Sequence, residues 1–98
     1  MAIDPGHIQA TLLEIVSDVS TQYGPTQLSS GSILQEVARR LRDPNGRLPA
    51  IDEQQAWLTA FYDLFRTGHL SWGINLDNNQ PAFCHLTKQG RRVLVSCL

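Results

Sequence analysis

Two groups of cationic side chains are the residues of this sequence best suited to chemistry. They are Arg39, Arg40, Arg42 and Arg47, and then Lys88, Arg91 and Arg92. If both groups share one face, they form a phosphate-contacting stripe whose binding weakens steeply with salt. The first group also has a structural explanation, because arginines at a helix C-terminus are favoured by the helix dipole and pair easily with Glu36 or Asp43. Arg91 and Arg92 open a predicted helix, where the dipole disfavours cations, so a ligand or an acidic partner explains them better.

Motifs for catalysis and metal binding are absent from the sequence. It has no glycine-rich phosphate loop, no paired-cysteine or His-x-x-x-His spacing, and no Gly-x-Ser-x-Gly elbow. His69 and His85 fall on strands expected to pair, but Cys84 and His85 point to opposite faces of a strand and do not readily share one ion. Cys84 and Cys97 can pair in principle, yet both are expected to be buried thiols in a reducing compartment. We therefore expect no enzyme activity, no cofactor and no metal site.

Length and charge narrow the class of protein further. A chain of 98 residues, 42% of them hydrophobic, closes one core. We expect a single domain over residues 1–98, either alone or as one domain of a longer protein. Without a secretory signal or an apolar run of about 18 residues, it is expected to be cytoplasmic and to make no membrane contact. The net charge of −1 argues against indiscriminate polyanion binding, but residues 1–38 hold four acids and no base, and residues 39–98 hold eight bases against five acids.

The spacing of apolar residues predicts the helices that position these side chains. The first helix runs from Pro5, capped by Asp4, to Tyr23. The second opens at Ser32, with a capping box to the residue three positions later, and ends before the turn Asp43-Pro44-Asn45-Gly46. The third covers 52–67 and turns one arc of side chains to the core: Trp57, Ala60, Phe61, Leu64 and Phe65.

A hairpin and a last helix complete the predicted order. Gly68 stops the third helix, and Leu70 to Leu86 form two strands around the turn Asp77-Asn78-Asn79. Thr87 caps a final helix with an apolar stripe of Val93, Leu94, Cys97 and Leu98. Leu28, between Thr26 and Ser30, is expected to supply a minimal strand that pairs with the hairpin. The order is helix, short strand, helix, helix, strand, strand, helix.

The end of the chain resembles a known architecture. The stretch Gly68-His69-Leu70, the hairpin, and Phe83-Cys84-His85-Leu86-Thr87-Lys88-Gln89-Gly90-Arg91-Arg92-Val93-Leu94 look like the wing and following helix of prokaryotic winged-helix domains. In such proteins a junction of leucine, threonine, two residues, glycine and arginine often follows the wing. Element order extends the resemblance over nearly the whole chain, without assigning one family. It implies an α+β winged helix with a small three-stranded antiparallel sheet.

The resemblance also implies a mode of binding double-stranded DNA. The third helix would enter the major groove while the wing follows the backbone or the minor groove. By position, the side chains that would face the bases are Gln54, Gln55, Thr59, Tyr62 and Arg66. Glutamine can pair with adenine, and threonine can meet a thymine methyl group or a phosphate. The same five residues are equally typical of an ordinary solvated helix face.

Three features depart from the winged-helix pattern. Asp52 and Glu53 place carboxylates where phosphates would approach. The wing, residues 73–81, contains Asp77 and no lysine or arginine. The joint between the second and third helices, residues 43–51, exceeds the three or four residues of a tight helix-turn-helix.

Two functions from different classes follow. The first is a DNA-binding, transcription-regulator-like module, acting as a symmetric dimer or as one domain of a longer chain. The second is a protein-interaction or dimerisation module without DNA binding, whose exposed apolar patch contacts another copy or a partner subunit; its candidate members are Leu58, Tyr62, Trp72 and Phe83. The wing without bases favours the second, and the prevalence of DNA binding in this architecture favours the first. We adopt DNA binding as the prediction.

Overall fold

Helices make up most of this α+β fold. The computed structural model describes residues 5–24 and 28–96. Over this part of the chain, four helices and two strands follow in the order α1 Pro5–Tyr23, α2 Ser30–Leu41, α3 Ile51–Arg66, β1 Leu70–Trp72, β2 Cys84–Leu86 and α4 Lys88–Ser96. The predicted helices and hairpin are confirmed. Asp4, Cys97 and Leu98, predicted as a cap and as part of the last apolar stripe, lie outside the described residues.

The predicted three-stranded sheet, and with it the fold class inferred from the winged-helix resemblance, is wrong. In the described residues the sheet has two strands, β1 and β2, which pair antiparallel with Leu70 opposite Leu86 and Trp72 opposite Cys84. The fold is therefore a mostly helical α+β body with one short hairpin.

The segment expected to form the third strand makes a single bridge instead. Ser29 lies opposite Phe83, and the Cys84 N–H donates to the carbonyl of Leu28 at 3.2 Å. Pairing stops there because Ser29 is extended, with φ −141° and ψ 159°, but already serves as the N-cap of α2, so the chain is helical from Ser30 onward. Thr26 and Gln27 lie outside the described residues.

The cap of α2 lies earlier than predicted. The Ser32 N–H donates to the Ser29 hydroxyl, and the Ser29 N–H donates to the Ser32 hydroxyl, each at 3.2 Å. This reciprocal capping box satisfies two amides that the helix cannot. The predicted box of Ser32 with Gln35 is replaced by Ser29 with Ser32, since Ser29 is the residue held in the extended conformation by its bridge.

The core forms where α1 packs against α2, α3 and α4. The buried side chains of α1 are Ile8, Leu12, Leu13, Ile15, Val16 and Val19. Phe61 of α3 is completely buried against them, which confirms the predicted phase of that helix. Tyr23, predicted to continue the α1 stripe, is 57% exposed. No helix among the described residues is long and apolar enough to cross a bilayer.

Helix α3 ends in a glycine-based cap. Gly68 adopts φ +83°, as predicted for a left-handed stop. The His69 N–H donates to the carbonyl of Leu64 at 2.8 Å and the Gly68 N–H to that of Phe65 at 3.3 Å. This is a Schellman motif, which satisfies the last carbonyls of the helix and directs the chain into β1.

The junction of β2 and α4 is held by Thr87 and Gly90. The Thr87 hydroxyl accepts a hydrogen bond from the Gly90 N–H (3.1 Å) and lies 2.6 Å from the Gly68 carbonyl oxygen. A Cβ at Gly90 would collide with the carbonyl oxygen of His69 and lie 2.6 Å from Leu86 Cδ1. The residues that resemble a winged-helix junction thus serve packing between α4 and the end of α3.

Candidate interaction surface

The first two arginines of the first cationic group, Arg39 and Arg40, form ion pairs. The Nε atoms of Arg39 and Arg40 lie 2.9 and 3.0 Å from the Glu36 carboxylate, and Arg40 Nη2 lies 2.8 Å from Asp18 Oδ2 on α1. Hydrogen bonds from Arg39 and Arg40 lower the pKa of Glu36 to about 2. These contacts also raise the pKa of both guanidinium groups. The predicted phosphate contacts at Arg39 and Arg40 therefore sit in a network that ties α1 to α2.

The other two members of this group lie in the loop after α2. Arg42 Nη1 donates to the carbonyl of Gly46 at 2.8 Å, and the Asp43 carboxylate accepts from the N–H groups of Asn45 and Arg47, each at 2.9 Å. The loop is thereby closed on itself as the predicted turn. The side chains of Arg42 and Arg47 are exposed.

The second cationic group opens α4 as predicted. Lys88, Arg91 and Arg92 are all exposed. Within the described part of the chain, Lys88 and Arg91 take part in no ion pair. The Gln89 side chain donates to the carbonyl of Thr67 at 3.2 Å, so the start of α4 adjoins the end of α3, where Arg66 lies.

The five predicted base-reading residues divide into two sets. Gln55, Thr59 and Tyr62 are exposed on α3, as expected. Arg66 is exposed but lies 3.2 Å from the Asp63 carboxylate, and Gln54 is half-buried, its amide donating to the carbonyl of Pro49 at 2.8 Å. Gln54 thus holds the preceding loop to the helix. The structure brings these residues together on one helix, but not as one polar face.

An exposed apolar stripe runs along α3 instead. Ile51 is 65% exposed, Leu58 41% and Tyr62 50%, and Gln55 is exposed between them. Positions 51, 55, 58 and 62 lie within about 60° of one another on a helix with 3.6 residues per turn. This stripe therefore presents apolar area to solvent beside the buried face that carries Trp57 and Phe61. Aromatic contacts support it, since Tyr62 packs edge-on against Phe61 at 5.2 Å between ring centres.

The other predicted members of the apolar patch differ in exposure. Phe83 is 38% exposed, at the bridge opposite Ser29. Trp72 is half-buried and stacks on Phe65 with 3.9 Å between ring centres and 13° between planes. Trp72 therefore fixes the hairpin to α3.

Beside the stripe lies an apolar groove between α2 and α3. Its volume is about 110 Å³, and its lining is Leu34, Val37, Ala38, Leu41, Leu48, Gln54, Trp57 and Leu58. The Trp57 side chain is buried, and its Nε1–H has no hydrogen-bond partner among the described residues. An indole N–H buried without an acceptor is costly, and most buried polar groups find a partner. The groove therefore has apolar walls, and the indole N–H of Trp57 lies beneath the accessible surface.

The cysteine and histidines of the hairpin have structural surroundings. Cys84 carries a free thiol, and burial raises the pKa of that thiol to about 12. His85 Nδ1 lies 2.7 Å from the Gly73 carbonyl oxygen and His69 Nδ1 lies 2.7 Å from the Thr67 hydroxyl. Cys84 is buried and His85 exposed, which confirms that they point to opposite faces. Over the described ranges no group of three His, Cys, Asp or Glu side chains is placed to hold a metal ion.

Two features of this surface were missed by sequence reasoning. Ile51 lies outside the predicted third helix, so its place on the stripe was not predicted, although its seven-residue spacing to Leu58 was a usable signal. The groove has no sequence signal, because its walls come from two helices and the loop between them.

Comparison of the chain with protein-family models, with curated proteins and with solved structures finds no match.

Proposed function

We propose that this chain is a non-enzymatic self-association module in which α3 of one copy packs antiparallel against α3 of a second copy. The observation that carries the proposal is the exposed stripe of Ile51, Leu58 and Tyr62. Large apolar side chains aligned along one exposed helix face are typical of interaction surfaces. This is the protein-interaction alternative among the functions predicted from the sequence, and the cytoplasmic location expected from the sequence is retained with it.

Charge complementarity supports a second copy as the occupant. Helix α3 carries Asp52 in its first turn and Arg66 in its last. On a helical wheel both lie on the same flank of the stripe, about 40° apart. In an antiparallel helix pair equal flanks face each other, so Arg66 of each copy approaches Asp52 of the other. In a parallel arrangement each flank instead faces the opposite flank of the partner, and Arg66 and Asp52 of the two copies lie at opposite ends of the contact.

The size of the contact predicts a weak and reversible dimer. Helix α3 has 16 residues and is therefore about 24 Å long. A contact built around one helix pair falls at the small end of specific interfaces, where association is transient. The dimer should therefore form in a concentration-dependent way.

A charge-swap experiment tests the proposal. Asp52→Arg and Arg66→Asp each create two repulsive contacts in a homodimer, so we expect each variant alone to associate roughly tenfold more weakly than the wild type. Mixed together, the two variants restore both attractive contacts and should form a heterodimer. Sedimentation equilibrium of each variant and of the mixture measures this. Glu14→Arg, on the exposed side of α1, is the matched control and should dimerise as the wild type does.

Two outcomes would contradict the proposal. One is a wild type that stays monomeric up to its solubility limit. The other is a dimer that tolerates Leu58→Asp together with Tyr62→Asp, because these substitutions place carboxylates at the centre of the proposed contact, at two exposed positions.

DNA binding is the second candidate, and the start of α4 favours it. Lys88 and Arg91 are exposed and take part in no ion pair within the described part of the chain, and cations are disfavoured at a helix N-terminus by the dipole. Against it stand the ion pairs of Arg39 and Arg40 and the acids Asp52 and Glu53 in the first turn of α3. For this reason DNA binding is ranked second here, although it was the prediction adopted from the winged-helix resemblance.

A further inference from the structure

We propose that the groove between α2 and α3 receives Leu76, at the tip of the hairpin loop, from a second copy of the chain. The inference rests on the self-association proposed above and names the anchor of that contact. The inference also rests on the presence of an apolar groove in one copy and an exposed leucine side chain in the other. Leu76 is 94% exposed, the most exposed large apolar side chain among the described residues.

The loop that carries Leu76 is held in shape before any partner binds. The Asn78 N–H donates to Asn75 Oδ1 at 2.7 Å, and the Ile74 N–H donates to the carbonyl of Asn78 at 2.8 Å. The Asn79 amide donates to the carbonyl of Leu76 at 3.1 Å. A preorganised loop loses less conformational entropy on binding, so a single leucine at its tip can act as an anchor.

The groove fits one aliphatic side chain. Its volume of about 110 Å³ is smaller than the ~150 Å³ apolar cavity that accepts a benzene molecule. Leu34, Leu41 and Leu48 supply walls that a leucine can contact.

The charges around the groove and the direction of the hairpin also favour the hairpin loop of a second copy as the occupant. Asp77 follows Leu76, and the hairpin loop contains no lysine or arginine, whereas Arg42 and Arg47 flank the groove residues Leu41 and Leu48 in sequence. In the antiparallel pairing of α3, the hairpin that follows the C-terminus of one helix lies toward the N-terminus of the other. The loop carrying Leu48 also lies at that N-terminal end. Leu58 lines the groove and belongs to the α3 stripe, so the two contacts form one continuous surface.

A complementation experiment tests this anchor by sedimentation equilibrium. Leu76→Asp removes the anchor and leaves the groove open, and Ala38→Leu fills the groove and leaves the anchor. We expect each variant alone to associate at least tenfold more weakly than the wild type. Mixed, they should regain part of the association, because Leu76 of the Ala38→Leu chain can enter the groove of the Leu76→Asp chain. Asn75→Asp, which adds the same charge beside the tip and keeps the leucine, is the matched control for Leu76→Asp and should retain most of the association.

A second readout follows the Trp57 indole N–H by ¹⁵N NMR. Its chemical shift should change with protein concentration in the wild type and stay constant in Leu76→Asp, a variant at an exposed position that should keep the wild-type melting temperature. A dimer that responds to the charge swaps at Asp52 and Arg66 but not to Leu76→Asp overturns the anchor and leaves the proposed function standing. A monomeric wild type overturns both.

Discussion

Gly90 shows how strongly a single residue type is specified in this fold. Its Cα hydrogen faces the carbonyl oxygen of His69, and its N–H is bound by the Thr87 hydroxyl. Any larger residue must push α4 away from the turn that ends α3. The leucine, threonine, glycine and arginine junction that resembles winged-helix proteins is thereby explained by packing, while the family relationship itself stays a prediction.

Substituting Gly90 by alanine should therefore destabilise the protein. We expect a loss of about 1–3 kcal/mol in the free energy of unfolding, because the new methyl group meets backbone rather than a flexible side chain. Urea denaturation followed by circular dichroism measures the change. The matched control is Gly31→Ala in α2, where the nearest atom, Ser29 Oγ, lies 3.8 Å from the new Cβ. That substitution should be neutral or stabilise by up to about 1 kcal/mol, and equal losses at both sites would contradict the packing argument.

At the scale of elements, an ion-pair network joins the first two helices. Arg40 reaches Asp18 of α1 and Glu36 of α2, and Arg39 binds Glu36 from the adjacent turn. The basic residues predicted to contact phosphates therefore have different surroundings in different elements. Those of α2 stabilise helix packing, and those of α4 face solvent.

The network predicts how stability depends on pH. The folded-state pKa of Glu36, about 2, lies below its ordinary value of 4.5, so Glu36 stabilises the fold above pH 4.5 and loses this contribution as the pH falls toward 2. Glu36→Gln should therefore be less stable than the wild type at neutral pH, and the difference should vanish in strong acid. Thermal melts at a series of pH values measure the difference. Glu14→Gln, at an exposed α1 carboxylate outside the network, serves as control, and an equal pH-dependent difference there would contradict the assignment.

At the scale of the whole molecule, charge and apolar area point to different partners. The exposed stripe of α3 and the groove beside it lie on one surface and favour a second copy of the chain. The cations at the start of α4 favour a polyanion, but Arg39 and Arg40 of α2 are bound to Glu36 and Asp18 and do not add to them. A sequence-reading interface would need more positive charge than this.

A DNA titration at two salt concentrations decides between these partners. If duplex DNA binds through Lys88 and Arg91, the logarithm of affinity should fall with the logarithm of salt with a slope of roughly −2, and Lys88→Glu with Arg91→Glu should abolish binding. Fluorescence anisotropy of a labelled mixed-sequence duplex measures both effects. Asp52→Asn with Glu53→Gln is the companion variant, and it should tighten binding only if α3 enters a groove. Unchanged binding after both charge reversals at α4 would remove this contact surface.

The amino-acid sequence by itself determined the helices, the hairpin and the side of α3 that is buried. Apolar spacing, Gly68 and Thr87 act within a few residues, and such local signals predict local structure. The sequence also supplied Leu58 and Tyr62 as candidate contact residues, and both are exposed.

Only the tertiary structure decided the number of strands, the partners of the arginines and the existence of the groove. Ser29 both forms the bridge to Phe83 and caps α2, and the start of that helix limits the pairing of this segment to one bridge. Arg40 pairs with Asp18, which lies 22 positions earlier in the sequence, and the groove walls come from two helices and a loop. These features depend on contacts between distant segments, and no local pattern records which segments will meet.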